Sequence, residues 1–485
     1  MPLNLVRNSK VFFTTNTDAN GRVNSTGFTA ANTQEIQVLD GFSFSQNTNA
    51  ETVTISEAGV APVRGQRNFN TSLAPVDFSM STYLRPKNIT TSISAEESVL
   101  WNALLGDQAI STANTITVTG TLAAPTYAFS NGVGTLTING TALVATGLAV
   151  GDIVVVGGIV AASPTASIPV LNAAAEVTAI SGTAIALRLV NPTTAATTIT
   201  TPTTVRFYRS AWAPVLAGSS YVSSAASNKH QLQRFGMVFI VDQVAYAVDN
   251  AAMTQVSVDF GLDAIATAAW TGQGTVLRQL GTGVTASAAG AFGNGLTGNF
   301  TPKVTDAQYI TNKLSTVSMS FVNNLVDSLG ATQATAGDVY NIAITGGNFT
   351  INNNITYITP ANLGAVNTPV TYYTGSRAIT GTLNAYLRTG GTRDTGELLS
   401  DMLNAASATT EPMADLEIFI GGATNTVRIQ LEMPATVISV PTVDVQQVVS
   451  TVINFTAQGN LPSATANANT FDLERNNDIA IRYYA

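Results

Sequence analysis

The sequence predicts an all-β fold with two short helices, built from one unit used twice and interrupted once by a small inserted β-domain. Three observations carry that expectation. Apolar and polar residues alternate with a period of two over many short runs. Asn-Gly and Asp-Gly pairs punctuate those runs. One order of strand, hairpin, strand, helix and strands occurs twice along the chain.

Alternation is clearest in Val53-Thr54-Ile55-Ser56, Thr115 to Thr119, Leu136 to Asn139 and Val256 to Asp259. It sets apolar side chains on one face of a sheet and hydroxyls on the other. Asn20-Gly21, Asp40-Gly41, Asn131-Gly132 and Asn139-Gly140 suit tight hairpin turns, whose central residues need positive φ. Ser94-Ala95-Glu96-Glu97 has the spacing of a capping box, and Val99, Leu100, Ala103 and Leu104 follow on one helical face. Asp394 and Glu397 repeat that spacing ahead of Leu398, Leu399, Met402 and Leu403.

The matches extend beyond the helices. Gly65-Gln66-Arg67 and Ser81-Thr82-Tyr83-Leu84-Arg85 correspond to Gly375-Ser376-Arg377 and Asn384-Ala385-Tyr386-Leu387-Arg388. Asp40-Gly41 corresponds to Gly346-Gly347, and Asp259 to Asp444; Trp270 to Gly274 reads against Phe455 to Gly459. Residues 111–210 have no counterpart in the second copy. They are nearly free of charge, rich in Thr, Ala and Val, and contain short strands at Ile153 to Val156 and Ala184 to Val190. The expected division is therefore 1–110 and 211–280 for the first unit, 111–210 for the insert, 281–300 for a Gly- and Ser-rich linker, and 301–485 for the second unit. About three domains also match 485 residues at roughly 150 each.

Composition excludes several classes. Hydrophobic residues make up 45% of the chain, enough for true cores. Only 10% are charged, so the surface must be neutral and polar, a surface poorly protected against self-association. With 29 acids against 21 bases, the net charge of −8 disfavours a grip on nucleic-acid backbone. There is no cysteine and a single histidine, which removes disulfide scaffolds, thiol chemistry and Cys- or His-rich metal sites. The N-terminus lacks the pattern of a signal peptide. The longest apolar run, Val150 to Ala162, contains Asp152 and is far short of the roughly 20 residues of a membrane helix.

No candidate site survives its context. Gly293-Asn294-Gly295-Leu296-Thr297-Gly298 fits a dinucleotide fingerprint but lies in the linker, with no helix after it. Asn16, Asp18, Asn20 and Gly21 resemble half of a calcium loop, yet Gly27 stands where the bidentate Glu should be. Asp259 and Asp263 on a strand would be about 13 Å apart, too far for a glycosidase pair, and Val448 replaces the second in the other copy. His230 sits in a polar run with no nucleophile signature beside it. Trp101, Trp212 and Trp270 read as core or subunit-contact residues, since no basic groove accompanies them. The expectation is no catalytic residue, no cofactor and no metal.

Several runs resemble the major tail tube protein of long-tailed bacteriophages, in its duplicated form with two tube domains per chain. They are Asn4-Leu5-Val6-Arg7-Asn8, Asn32 to Ile36, Ser56-Glu57-Ala58-Gly59 leading to Arg64-Gly65, Phe78 to Tyr83, and Gly346 to Tyr357. The resemblance implies two tandem β-sandwich tube domains, each with one helix. It implies an assembly in which three chains make a pseudo-sixfold ring and rings stack into a hollow tube. That tube would enclose the tape measure protein, meet tail terminator and baseplate or tail-tip proteins and in some tails a sheath, and pass DNA without binding it. Such a protein is made in the host cytoplasm and resides in the virion, outside any membrane. The insert would then decorate the outer wall. The rival readings are a β-rich glycan hydrolase on a virion, which lacks a carboxylate pair, and a β-repeat adhesion protein without enzymatic activity.

Overall fold

The computed structural model describes the chain except residues 1–8, 40, 54–66, 90–91, 106–114, 131–132, 146–147, 149, 151–152, 162–173, 190–198, 209–217, 223–231, 263, 304–308, 322–323, 362–365, 406–411, 422–426, 445–448, 459–478 and 485. In the first copy β1 (Lys10–Thr14), β2 (Thr33–Ile36), β3 (Ser43–Val53) and β4 (Arg67–Tyr83) precede helix α1 (Ser98–Leu105). After the insert come β5 (Gly218–Val222), β6 (Phe235–Val241), β7 (Val244–Asp259), β8 (Thr267–Gly274) and β9 (Val276–Thr282). The second copy opens with β10 (Thr316–Phe321), β11 (Val339–Ile342), β12 (Ile344–Asn352), β13 (Ile355–Ile358), β14 (Thr371–Thr374) and β15 (Ala378–Tyr386). It continues through α2 (Thr395–Ala405), β16 (Met413–Ile420), β17 (Arg428–Ile438), β18 (Thr442–Asp444), β19 (Ser450–Ala457) and β20 (Ala480–Tyr484).

Both copies are all-β and pair their strands in one antiparallel order. The first layer is β2–β1–β6–β7 in one copy and β11–β10–β16–β17 in the other. β7 and β17 both carry a register break against their hairpin partner, between Val248 and Ala251 and between Met433 and Thr436. A bulge bends a strand, and beyond it each strand joins the second layer. That layer is β7–β8–β4–β3 in the first copy and β17–β19–β15–β12 in the second, with β18 also pairing β19. The core lies between the layers. Val11, Phe239, Phe78 and Trp270 share it with Val317, Leu416, Leu383 and Ile453, all nearly sealed from solvent. Side chains alternate along each strand, so the other face of the second layer remains outside.

The two copies are joined edge to edge. β7 pairs antiparallel with β12, placing Gln255 opposite Asn352, Ser257 opposite Thr350 and Asp259 opposite Asn348. β20 adds a second tie: it pairs with β17 on one side and with β5 on the other.

The pairing fixes which residues correspond. Tyr83 is opposite Thr267, and Thr267 opposite Asp259; Tyr386 is opposite Ser450, and Ser450 opposite Asp444. The correspondence of Tyr83 with Tyr386 and Asp259 with Asp444 thus stands. That of Trp270 with Phe455 does not: Trp270 lies opposite Met80, and Ile453 opposite the matching Leu383. The connection from Asp259 to Thr267 is two residues longer than that from Asp444 to Ser450, which slides the similar-looking sequences past each other. A shift of two keeps the same face, so the alternation gave no warning.

Two further local expectations are corrected. Ser94 lies in a short strand, Ser92–Ala95, and α1 begins only at Ser98, so the first capping box is not formed. The second forms its N-cap half: Asp394 Oδ1 accepts the N–H of Gly396 at 3.1 Å and of Glu397 at 3.0 Å, while Glu397 reaches back one residue farther, to the N–H of Arg393. Asn139-Gly140 is no turn but lies inside strand Val133–Val144, where pairing passes from strand Ala184–Leu189 to strand Thr119–Leu122. A Cβ at Gly140 would meet Thr121 O at 2.4 Å, so the glycine serves close strand approach.

Strands between Thr115 and Tyr208 form their own antiparallel eight-stranded sheet around Leu136, Val154, Val177, Leu187 and Phe207. The Gly- and Ala-rich stretch after β9 is packed: Val284, Phe292, Leu296 and Phe300 cover Phe12, Val238 and Ala247 on the outer face of the first layer.

Candidate assembly interface

The distinguishing surface is the outward face of the joined second layers. Eight strands run across it in the order β3–β4–β8–β7–β12–β15–β19–β18. Its residues are almost all neutral and hydrogen-bonding. Ser79 and Ser81 come from β4, Thr267, Thr271 and Gln273 from β8, Gln255 and Ser257 from β7, and Asn348, Thr350 and Asn352 from β12. Thr380, Thr382 and Asn384 of β15 and Asn454 and Thr456 of β19 continue the pattern. Charge enters as Asp77, Asp259 and Asp444, with Glu51 farther out along β3; these strands turn no Lys or Arg onto the described part of this face. Asp77 is held by Gln273, whose Nε2 donates to its Oδ1 at 2.9 Å.

The sheet has two open edges. β3 pairs only with β4 among the described residues, and β18 only with β19. Thr442, Val443 and Asp444 are all exposed, as are Ser43 and Ser45, while Phe44 is half-buried. An unpaired edge is a template for another strand. The chain already holds one such junction within itself, where β7 meets β12. Phe44 lies opposite Phe78 as Phe349 lies opposite the matching Gly381, so β3 is the counterpart of β12. β18 is the counterpart of the end of β7.

Ionisable groups away from this face serve the helices and the first layer. Glu97 is buried. Burial pushes its carboxyl up to about 7, against hydrogen bonds from the Tyr483 hydroxyl and the Arg85 N–H. Beside it, Arg85 pairs with Glu96 at 3.0 Å. The second helix has a similar anchor: Tyr340 donates to Asp401 at 2.5 Å, and Arg393 reaches Glu397 at 3.0 Å. On β16, burial and the neighbouring Glu417 and Glu432 raise the Asp415 carboxyl well above the usual range. These contacts fix structure; none is set beside a nucleophile.

The sequence candidates resolve accordingly. Asp18 Oδ1 accepts the N–H of Asn20 at 2.8 Å and of Arg22 at 2.9 Å, and Gly21 has φ +78°, which makes this segment a turn. The run from Gly293 to Gly298 leads into Phe300 and Thr301 without a helix. Trp101 and Trp270 pack edge to face at 4.8 Å in the core. Asp259 ends β7, whereas Asp263, His230 and Trp212 lie outside the described residues. Among the described residues no cluster of His, Cys, Asp and Glu could hold a metal, and no helix is long and apolar enough to cross a membrane. Sequence reasoning missed the neutral face itself, because alternation shows which residues share a face but not which strands lie side by side.

No family model matches the chain. A curated relative does: the chain is 24% identical over 470 residues to "Tail tube protein pb6" of Escherichia phage T5. The match covers 94% of this chain and 73% of that protein. The tail-tube resemblance read from the residues is therefore carried by a homologue that aligns with nearly the whole chain.

Proposed function

We propose that this chain is a structural subunit of a phage tail tube, resident in the virion, and that three copies close one ring. The observation that carries the reading is the β7–β12 junction, a ready-made copy-to-copy seam with two matching edges left open. Transferring its register sets Asp444 opposite Ser43 of the next chain, as Asp259 is opposite Asn348, and Val443 opposite Phe44, as Val258 is opposite Phe349. Repetition of eight strands around a threefold axis gives a closed barrel of about two dozen strands, and closure removes the open edges. Its lumen would be lined by hydroxyls and amides with scattered carboxylates, a lining that repels phosphate and offers it no counter-charge. Stacked rings would enclose the tape measure protein and later conduct DNA; terminator, baseplate or tail-tip proteins would meet the ends. The reading requires no catalytic step.

Negative-stain microscopy of the purified protein tests it. Rings or tubes whose end views show three chains and pseudo-sixfold symmetry are expected. Isolated particles, or rings of six chains, would overturn it.

A further inference from the structure

The two copies differ in one complementary way. In the second copy the hairpin β12–β13/β14–β15 folds back over the first copy. Tyr357 donates its hydroxyl to Asn250 O at 2.8 Å and Gln273 O at 2.9 Å, and Tyr372 donates to Leu232 O at 3.1 Å. Asn250 Nδ2 returns a bond to Val370 O at 3.2 Å. Ile355 and Tyr357 are buried there with Leu232 and Ala252.

The matching hairpin of the first copy, β3–β4, is tied at one edge of β4 to the second copy, where Leu73 donates its N–H to Asn367 O at 2.8 Å and Asn367 donates to Thr71 O at 3.2 Å; beyond that edge it has no such cover among the described residues. Ala50 is six residues beyond Phe44, as Ile355 is six beyond Phe349, yet residues 47–52 and 68–71 are exposed and Phe69 is 59% exposed. The matching seat on the second copy is also uncovered among the described residues. Val437 precedes Asp444 by seven residues, as Ala252 precedes Asp259, and it pairs with Thr456 as Ala252 pairs with Gln273. Ala252 is fully buried, whereas Val437 is half-buried and Ser439 and Val440 beyond it are exposed.

We infer that the β3–β4 hairpin of each chain docks on the Val437 seat of the neighbouring chain's second copy, a second contact at every inter-chain seam. This rests on the ring reading and adds to it. Among the described residues, one chain displays an arm uncovered beyond its Asn367 edge and an uncovered seat. The intramolecular pair shows that the two shapes fit, and cyclic repetition brings each arm to a seat. The occupant is a further copy of this chain.

The chain has no cysteine, so engineered thiols report without background. Ala50→Cys with Val437→Cys tests the arm; Ser43→Cys with Asp444→Cys tests the strand seam. For the seam pair, opposed strand residues have Cα atoms about 4.5–5.5 Å apart, within disulfide range; the counterparts of the arm pair, Ile355 and Ala252, pack in one cluster. Oxidised rings carrying the arm pair should run as covalent trimers on a non-reducing gel. If only the seam pair links, the arm contact is refuted and the ring reading stands. If neither links, the ring reading falls and the arm contact with it. Should Val437→Cys fail to fold, Thr48→Cys with Ser439→Cys replaces it. Both residues are exposed, and their counterparts are joined by the Asn353 N–H donating to Thr254 O at 2.9 Å.

Discussion

Phe78 lies across Gly272 so closely that a Cβ on the glycine would sit 2.2 Å from the ring's Cζ. The second copy holds the same pair reversed: Gly381 replaces Phe78, and Phe455, opposite it, replaces Gly272. A Cβ at Gly381 would meet Phe455 Cζ at 2.3 Å. One ring fills one slot between two strands, and either strand can supply it. Gly272→Ala and Gly381→Ala should each destabilise by about 1–3 kcal/mol, the usual cost of overpacking. Combining Gly272→Ala with Phe78→Leu should recover part of the loss. Calorimetry of the single and double variants checks this; equal melting temperatures for all of them would refute the slot.

Glu97 predicts a pH dependence. Its carboxyl is raised from 4.5 to about 7, chiefly by burial, so the folded chain keeps a proton that the unfolded chain releases earlier. The sign follows: this group's contribution is full below about pH 4.5 and is lost as pH rises to about 7. The size is about 3 kcal/mol at 1.36 kcal/mol per unit. Glu97→Gln stays neutral at every pH and can still accept from Tyr483. Denaturant titrations at pH 5 and pH 8 should show that the variant loses much less stability than the parent across this window. A variant as pH-sensitive as the parent would place the effect elsewhere.

That carboxylate also marks where sequence reading stopped. Ser94 and Glu97 have capping-box spacing, but Glu97 instead accepts from Tyr483, which also takes the indole N–H of Trp101 at 2.7 Å. No local rule anticipates a partner 386 residues away. Asp394 and Glu397, at the same spacing but more exposed, do form the cap. Strands were legible where one face is buried, as in Val256 to Asp259, because alternation states burial directly. Asn139-Gly140 was misread because a glycine needed for close strand contact looks the same in sequence as one needed for positive φ. The neutral face was hidden for a different reason: it exists only once β7 pairs with β12.

The carboxylates of that face give a third prediction. Asp77, Asp259 and Asp444 are charges it carries next to the seams and on β4, with Glu51 farther out on β3. Replacing the three aspartates by Lys would turn a lining that repels phosphate into one that holds it. DNA passage through assembled tails should slow, most strongly at low salt, since screening acts over about 8 Å at physiological strength and farther below it. Ejection followed by dye accessibility at two salt concentrations measures this. Unchanged ejection at low salt from tails of normal appearance would show that these carboxylates do not meet DNA.

The insert provides the last prediction. The first copy passes from the end of α1 at Leu105 to the start of β6 at Phe235, whereas the second passes from Ala405 to Met413 directly. The second copy thus shows that the two-layer unit folds without such a segment. Strands from Thr115 to Tyr208 pair only with one another among the described residues and enclose a separate core. Such a segment can be added to a loop cheaply, because each doubling of loop length costs only about 0.6 kcal/mol. Three copies of it inside a lumen would block the channel, so in a ring it belongs on the outer wall. Replacing residues 111–210 with a short Gly-Ser loop should leave a folded chain that still makes tubes, thinner outside and unchanged in bore. Microscopy of the variant decides the matter. A soluble, folded variant that never assembles would move the insert from the wall into the contacts between subunits.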